Sequence, residues 1–185
     1  MSGIKFDNFY IISGGPGSGK SALIEALAKR GLKTMPEAGR SIIQDQSRIG
    51  GPALPWGDRA LFAELMLQWE LRSYHEAQTQ TGPVFFDRGV PDVIGYLRLV
   101  GLEVPEHLKQ AALLFRYHSK VFLAPPWLDI FRTDQERRQS WAEAVATYES
   151  MLRVYTEFGY EIVDLPLVSV EERVAFVRSA LRACP

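Results

Sequence analysis

The segment that most constrains this chain runs from residue 14 to residue 21 and reads Gly-Gly-Pro-Gly-Ser-Gly-Lys-Ser. It lies between an apolar run at 9–12 and an amphipathic pattern at 20–30. A glycine, four residues and then Gly-Lys-Ser, placed between a strand and a helix, is the pattern of a phosphate-binding loop. Small residues are needed because consecutive backbone N–H groups must curl around phosphate oxygens. The sequence therefore predicts a strand, a phosphate loop and a helix here.

We expect this loop to bind the triphosphate of ATP. Lys20 would reach the β- and γ-phosphates, and the Ser21 hydroxyl would bind Mg²⁺. The partial positive charge at the start of the following helix points at the same oxygens. The alternative is a flexible glycine-rich turn that fits the pattern by chance. The residues expected to contact the nucleotide are Gly15, Pro16, Gly17, Ser18, Gly19, Lys20, Ser21 and Ala22.

Short apolar runs alternate with helical patterns along the whole chain, which is typical of a parallel sheet connected by helices. The runs cover residues 9–12, 32–35, 84–86, 121–123 and 160–163. Helices are predicted at 20–30, 37–48, 57–80, 90–100, 105–116, 140–158 and 170–181, with a Gly/Pro-rich loop at 50–56. These patterns predict an α/β protein.

Composition and charge limit the expected partners. The 185 residues, 46% of them hydrophobic, suffice for one domain, and we expect a single nucleotide-binding domain over 1–185. A formal net charge of -1, from well-mixed acidic and basic residues, offers no field that would gather nucleic acid or an anionic membrane. A single cysteine, Cys184, and apolar runs shorter than a membrane span favour a cytoplasmic protein. The sequence leaves the oligomeric state open.

An acidic side chain at the end of a neighbouring strand is also needed to hold Mg²⁺. Asp87 follows the run at 84–86, and Asp164 follows the run at 160–163. Asp87 is preferred because its run resembles a buried central strand and because Arg88 supplies an adjacent cation. Alternatively, Asp87 caps a helix or pairs with Arg88 at the surface. Arg88 stands where motor-type ATPases usually carry a second acidic residue, which favours phosphoryl transfer over hydrolysis.

Glu37 follows Met35 and Pro36 at the end of the second apolar run. In a parallel sheet it would lie at the same edge as the phosphate loop and Asp87. There its carboxylate could position or deprotonate an attacking hydroxyl group. Alternatively, Glu37 lies in the first turn of the next helix, where a negative charge favours the helix dipole. Arg40, one turn later, would pair with Glu37 or bind substrate.

A polar segment at 127–140 carries three arginines, Arg132, Arg137 and Arg138, within seven residues. In phosphotransferases a mobile segment at this place closes over the triphosphate and brings arginines to the transferring group. Arg132 and Arg137 are the better candidates for that role. The alternative is a solvated helix whose arginines pair with its own acidic residues.

Aromatic residues in two places have different predicted roles. Trp56 lies in the Gly/Pro-rich loop, where it could line a substrate pocket. The aromatic residues of the helix predicted at 57–80 are expected in the core; they are Phe62, Trp69 and Tyr74.

In their order along the chain, these motifs resemble those of a bacterial family of small predicted ATPases, called AAA-domain proteins, that look like nucleoside and nucleotide kinases. The resemblance rests on residues 14–21, 35–40, 86–92, 132–138 and 163–166. It implies a P-loop NTPase three-layer sandwich with a five-stranded parallel sheet flanked by helices. It also implies an arginine lid and adenine near residues 166–169.

The layout is similar to that of deoxynucleoside kinases and of ribosylnicotinamide kinase domains. In the former, a Pro-Glu after the second strand supplies the base and an acidic-Arg pair ends the third. Glu37 and the pair Asp87-Arg88 match those positions. The chain departs from the pattern in having Asp87 instead of glutamate and Gly89 instead of serine.

The sequence thus favours a phosphotransferase that moves the γ-phosphoryl group of ATP to a hydroxyl of a small, nucleoside-like metabolite. Ser21 and Asp87 would hold Mg²⁺. The alternative is a nucleotide-dependent switch or slow NTPase that acts on a protein or lipid partner. The residues expected to act in catalysis are Lys20, Glu37, Asp87, Arg88, Arg132 and Arg137.

Overall fold

A computed structural model describes residues 4–131 and 140–182 of the chain. Its strands are β1 (Ile4–Lys5), β2 (Phe9–Gly14), β3 (Lys33–Met35), β4 (Val84–Asp87), β5 (Phe115–Arg116), β6 (Lys120–Ala124) and β7 (Glu161–Asp164). Its α-helices are α1 (Lys20–Lys29), α2 (Ala38–Ile49), α3 (Arg59–Ala77), α4 (Val90–Leu99), α5 (Glu106–Leu114), α6 (Trp141–Glu157) and α7 (Val170–Arg182). A short 3₁₀ helix spans Leu128–Ile130.

Five of the strands form one parallel sheet in the order β3-β4-β2-β6-β7. All five apolar runs of the sequence lie in this sheet, so the predicted α/β architecture is confirmed. A second, two-stranded parallel sheet joins β1 to β5 and was not predicted. The helix predicted at 105–116 was wrong at its end, because Phe115 and Arg116 pair with β1 instead.

The central strand β2 explains the three layers. Every residue of β2 is buried, and successive side chains of a strand point to opposite faces of the sheet. Phe9 and Ile11 pack on the face covered by α3 and α6, where Tyr74 is part of the core. Tyr10 and Ile12 pack on the opposite face, which α1 and α7 cover. Apolar side chains on both faces of β2 therefore require helices on both sides of the sheet.

The register of the sheet brings Asp87, Glu37 and the phosphate loop to one edge. Asp87, the last residue of β4, pairs with Ile12 of β2, two residues before the phosphate loop starts at Gly14. Met35, the last residue of β3, pairs with Phe86, so Glu37 follows at the same edge. Ligands of open parallel sheets bind beyond this carboxyl edge.

Local signals at the helix ends match the sequence. Asp58 precedes α3 and accepts a hydrogen bond from the backbone N–H of Leu61 at 2.9 Å. Ser140 and Glu143 form a reciprocal cap at the start of α6. Gly50 ends α2 with a φ of 66°. None of the helices in the described residues has the length and apolar character needed to cross a membrane.

Candidate active site

The phosphate loop connects β2 to α1 and leaves no room for side chains. Gly14, Gly17 and Gly19 have φ values of 130°, 70° and 80°, which favour glycine. A Cβ atom placed on Gly15 would lie 2.4 Å from the backbone oxygen of Ala144 in α6. The loop therefore presents its backbone while packing directly against α6.

Lys20 is buried at the start of α1, and its side chain turns back onto the loop. Its Nζ donates to the carbonyl oxygen of Gly15 at 2.6 Å and approaches the Ser18 hydroxyl at 3.4 Å. The Ser18 hydroxyl donates to the same carbonyl at 2.8 Å. Ser21 and Ala22 lie in the exposed first turn of α1. The structure thus brings the eight predicted nucleotide contacts together in one loop and one helical turn.

Arg88 links the loop to two helices. Its φ of 78° lies in the left-handed region, which is uncommon for a residue with a side chain. Its Nη1 donates to the Gly14 carbonyl at 3.1 Å and to the Asp92 carboxylate at 3.1 Å. Its Nε donates to Glu37 Oε1 at 3.3 Å. Burial disfavours the charged form of Arg88, but the carboxylates of Glu37, Asp92 and Asp87 raise its pKa above the ordinary value.

Asp92 holds this arrangement together, although no role was predicted for it from the sequence. Its Oδ1 accepts from the Ser13 hydroxyl at 2.5 Å as well as from Arg88. Its Oδ2 accepts from the Gly89 N–H at 3.0 Å and from the Tyr155 hydroxyl. The available signal was an acidic residue three positions after the N-cap residue Gly89, which is the capping-box position. Its contacts with β2 and α6 were not visible in the sequence.

The two candidate metal carboxylates lie in different surroundings. Asp87 is buried on β4, next to the strand that carries the phosphate loop. Asp164 is exposed at the end of the edge strand β7 and accepts a hydrogen bond from the Tyr148 hydroxyl at 2.9 Å. Mg²⁺ at a nucleotide takes one or two protein oxygens and completes its shell with phosphates and waters. The hydroxyl of Ser21 and the carboxylate of Asp87 are oxygen ligands of that kind, so the residues present fit the ion.

Glu37 directly precedes α2 as its N-cap residue, so it lies before the first turn and not within it. Its carboxylate makes no capping hydrogen bond and instead accepts from Arg88. The side chain also lines a cavity, as does that of Arg40. Glu37 therefore faces the space in which a substrate could bind.

This cavity has a volume of about 740 Å³ and lies between α2, α3, α4 and α6. Pro16 lines it, so it adjoins the phosphate loop. Trp56, 65% exposed, also lines the cavity, as the pocket interpretation of this residue predicted. The remaining wall is mostly apolar, from Ile43, Phe62, Met66, Val93, Tyr96 and Met151. Phe62, predicted in the core, is buried and pairs edge-to-face with Tyr96 at 5.4 Å between ring centroids.

Arg173 was missed by the sequence reasoning. It lies on α7 and is only 1% exposed. Its Nη1 donates to the Ser18 carbonyl and its Nε to the Pro166 carbonyl, each at 2.8 Å. The guanidinium carbon lies 4.9 Å from the ring centroid of Trp127, and burial lowers the pKa of Arg173. An arginine near the start of an amphipathic helix gives no sequence signal of such burial.

The predicted lid is described only at its start. Arg132, Arg137 and Arg138 lie outside the described residues. Phe131, the last residue before them, packs edge-to-face against Trp141 at 5.4 Å between ring centroids. A Cβ atom on Gly17 would lie 2.6 Å from the Phe131 ring, so this ring rests on the phosphate loop.

Comparison with known structures shows the same fold in the NadR protein and in two kinases. The NadR protein in complex with NR superposes with a TM-score of 0.69 at 16% identity, and covers 94% of this chain. This chain spans 50% of NadR's length. Deoxyadenosine kinase from M. mycoides superposes with a TM-score of 0.63 at 13% identity, covering 95% of this chain and 99% of the kinase. Thymidylate kinase from Candida albicans superposes with a TM-score of 0.64 at 13% identity, covering 95% of this chain and 91% of the kinase.

At these identities the solved structures show the fold alone, which is that of P-loop kinases. Curated protein sequences give no match. A protein-family profile described as an AAA domain matches residues 9–173, which include the phosphate loop, Glu37, Asp87 and Arg88. The family expected from the sequence motifs is thereby confirmed. The chain belongs to this AAA-domain family of P-loop proteins.

Proposed function

We propose that the protein transfers the γ-phosphoryl group of ATP to a hydroxyl group of a small acceptor bound in the 740 Å³ cavity. The observation that carries this proposal is the position of Glu37 and Arg88. Both line the cavity, and Arg88 also donates to the Gly14 carbonyl of the phosphate loop. A carboxylate and a guanidinium therefore lie where the cavity meets the loop.

The loop would hold the donor nucleotide. Backbone N–H groups from Gly15 to Ala22, except that of Pro16, supply the donors that phosphate oxygens require. Lys20 would exchange its hydrogen bond to the Gly15 carbonyl for the β- and γ-phosphates. Mg²⁺ held by Ser21 and Asp87 would neutralise phosphate charge.

Glu37 would position and deprotonate the acceptor. The hydroxyl proton would pass to the Glu37 carboxylate while the hydroxyl oxygen forms a bond to the γ-phosphorus. The bond from that phosphorus to the β–γ bridging oxygen breaks, and ADP leaves with the bonding electrons. Arg88 would stabilise the negative charge near the loop, because its pKa is raised and it stays cationic.

The acceptor would be held mainly by apolar and aromatic contacts. Phe62, Met66 and Tyr96 line the cavity, and a few polar groups at its loop end would orient the hydroxyl. A cavity of 740 Å³ suits a nucleoside-sized molecule. Arg132 and Arg137, outside the described residues, are proposed to close over the triphosphate during transfer.

The test compares binding and transfer in two variants. Lys20→Ala should abolish the rise in melting temperature that Mg-ATP causes, because it removes the cation that meets the phosphates. Glu37→Gln should keep that rise but lower transfer at least about tenfold, as loss of a general base typically does. Glu25→Gln, an exposed glutamate on α1, is the matched control and should change neither quantity.

Transfer is measured as ADP release with a panel of nucleosides and vitamins as acceptors. Acceleration well above the basal rate by one member supports phosphotransfer. If no member accelerates ADP release, the switch or slow NTPase acting on a protein or lipid partner takes its place. Turnover of Glu37→Gln at the unaltered rate would remove Glu37 from the mechanism.

A further inference from the structure

Glu70 is a buried acid in the wall of the cavity. It lies on α3, is 4% exposed and lines the cavity together with Phe62 and Met66 of the same helix. Within residues 4–131 and 140–182, no hydrogen bond or ion pair reaches its carboxyl group. Buried carboxyl groups normally have such partners, so an unpartnered one facing a cavity points to a ligand.

The surroundings of Glu70 favour its neutral form. Burial raises its pKa well above the ordinary value, and the carboxylates of Asp92, Asp87 and Glu37 raise it further. Arg88 opposes this shift, but it already donates to Glu37 and Asp92. Burial and the neighbouring carboxylates therefore favour the protonated form of Glu70.

Groups on the remaining elements do not reverse this charge balance. Tyr117, which precedes β6, is held neutral because burial raises its own pKa. Glu143 on α6 adds another carboxylate to the cavity wall. Arg40 on α2 is the other cation in the lining, and Arg88 is the cation that lowers the pKa of Glu70.

We infer that Glu70 binds the acceptor through the hydrogen-bonding edge of its carboxyl group, and that the acceptor is a flat ring with an amide-like edge. This inference rests on the proposed function, because it takes the cavity as the acceptor site. A protonated carboxyl presents one O–H donor beside one carbonyl acceptor. A nucleobase or a carboxamide has an N–H or NH₂ group beside a carbonyl or ring nitrogen. Such an edge can pair with the O–H donor and the carbonyl acceptor at the same time.

The walls beside Glu70 suit a flat ring. Phe62 and Tyr96 form an edge-to-face aromatic pair that lines the cavity, and aromatic faces stack on planar ligands. Met66 and Met151 add flexible thioether side chains that fit the edges of a ring. A ring held by these side chains would place its polar edge at Glu70 and its hydroxyl-bearing substituent toward Glu37.

The experiment changes the polar edge of Glu70 while keeping its size. Glu70→Met removes both hydrogen-bonding groups, whereas Glu70→Gln keeps a donor beside an acceptor. Glu76→Gln, on the exposed side of the same helix, is the matched control. Adenosine, inosine, thymidine, cytidine, nicotinamide riboside and ribose are titrated by calorimetry into protein loaded with Mg²⁺ and AMP-PNP.

At least one ring-bearing probe should bind, and ribose should not. Glu70→Met should weaken the binding of that probe about tenfold or more, since a buried edge loses its hydrogen bonds. Glu70→Gln should bind it within about threefold of the unaltered protein, because the amide offers the same donor and acceptor. Binding to the unaltered protein should fall as the pH rises through the raised pKa of Glu70, and binding to Glu70→Gln should not.

Three results would overturn the inference. They are binding by no ring-bearing probe, unchanged binding in Glu70→Met, and equal weakening in Glu70→Gln and Glu70→Met. The last result would mean that an ionised carboxylate holds a cationic group. A probe that is phosphorylated independently of Glu70 would overturn only this inference. A probe that binds through Glu70 but is never phosphorylated would count against the proposed function alone.

Discussion

Replacement of Asp92 by asparagine should destabilise the protein through one misplaced NH₂ group. Oδ1 of Asp92 accepts from Ser13 and Arg88, and Oδ2 accepts from Gly89 and Tyr155. Asparagine keeps one of these oxygens and turns the other into a donor. Whichever way the amide is oriented, two donors then face an NH₂ group.

The four donors differ in how they can respond. The hydroxyls of Ser13 and Tyr155 can rotate and accept a hydrogen bond, but the N–H groups of Arg88 and Gly89 cannot. Arg88 still has the Gly14 carbonyl at 3.1 Å, whereas the Gly89 N–H has no second acceptor among its hydrogen bonds in the described residues. The amide nitrogen is therefore expected on the side that faces Arg88.

The loss can be estimated from these contacts. A hydrogen bond to a charged group contributes about 1.5–3 kcal/mol, and removal of one partner of a buried ion pair costs about 3–5 kcal/mol. Glu37 remains as a second carboxylate for Arg88, so we expect the free energy of unfolding to fall by about 3 kcal/mol, the lower end of that range. For a domain of this size, each kcal/mol lowers the melting temperature by about 2–4 °C, so the expected decrease is about 6–12 °C.

Thermal unfolding followed by circular dichroism measures this decrease. Asp164→Asn, an exposed carboxylate at another strand end, is the matched control and should change the melting temperature by no more than about 2 °C. A double-mutant cycle of Asp92→Asn with Arg88→Gln should show a coupling of at least about 1 kcal/mol. An unchanged melting temperature in Asp92→Asn, or additive effects in the cycle, would refute the role assigned to Asp92.

Two further substitutions test the contacts that α7 and α6 make with the phosphate loop. Arg173→Lys loses the fork that holds the Ser18 and Pro166 carbonyls, so the KM for ATP should rise about tenfold and Trp127 fluorescence should change. Arg178→Lys, exposed on the same helix, is its control, and an unchanged KM in Arg173→Lys would contradict this role. Gly15→Ala should push the loop away from Ala144 and abolish the ATP-induced rise in melting temperature. Gly31→Ala, at a position with open space but a φ of 81°, should lower the melting temperature itself and still keep that rise. A normal rise in Gly15→Ala would show that the loop need not lie against α6.

Local patterns were enough to predict the sheet. Each apolar run is short and ends at glycine, proline or an acidic residue, and such runs between helical patterns specify parallel strands. The pairing of Phe115 and Arg116 with β1 was not predictable, because its partners at Ile4 and Lys5 are more than a hundred residues away in the chain. Local periodicity extended the helix over these two residues instead.

The candidate site was predictable only where its residues follow strands. Glu37, Asp87 and Arg88 come within two residues of the ends of apolar runs, so their common edge could be inferred from a parallel sheet. Asp92 and Arg173 contact residues that are distant in sequence. The residues next to them in the chain therefore do not indicate these contacts.

Two departures from local rules meet in this cavity. Most buried residues of α3 follow the helical repeat, and Glu70 is the acid among them; the buried residues are Phe62, Ala63, Leu67, Glu70, Ser73, Tyr74 and Ala77. Among the described residues other than glycine, only Arg88 has a positive φ. Each departure costs stability where it occurs, since an unpartnered buried acid and a left-handed arginine are both unfavourable. Residues that lower stability are found in proteins where they serve binding or chemistry. The side chains of Glu70 and Arg88 both line the cavity beside the phosphate loop.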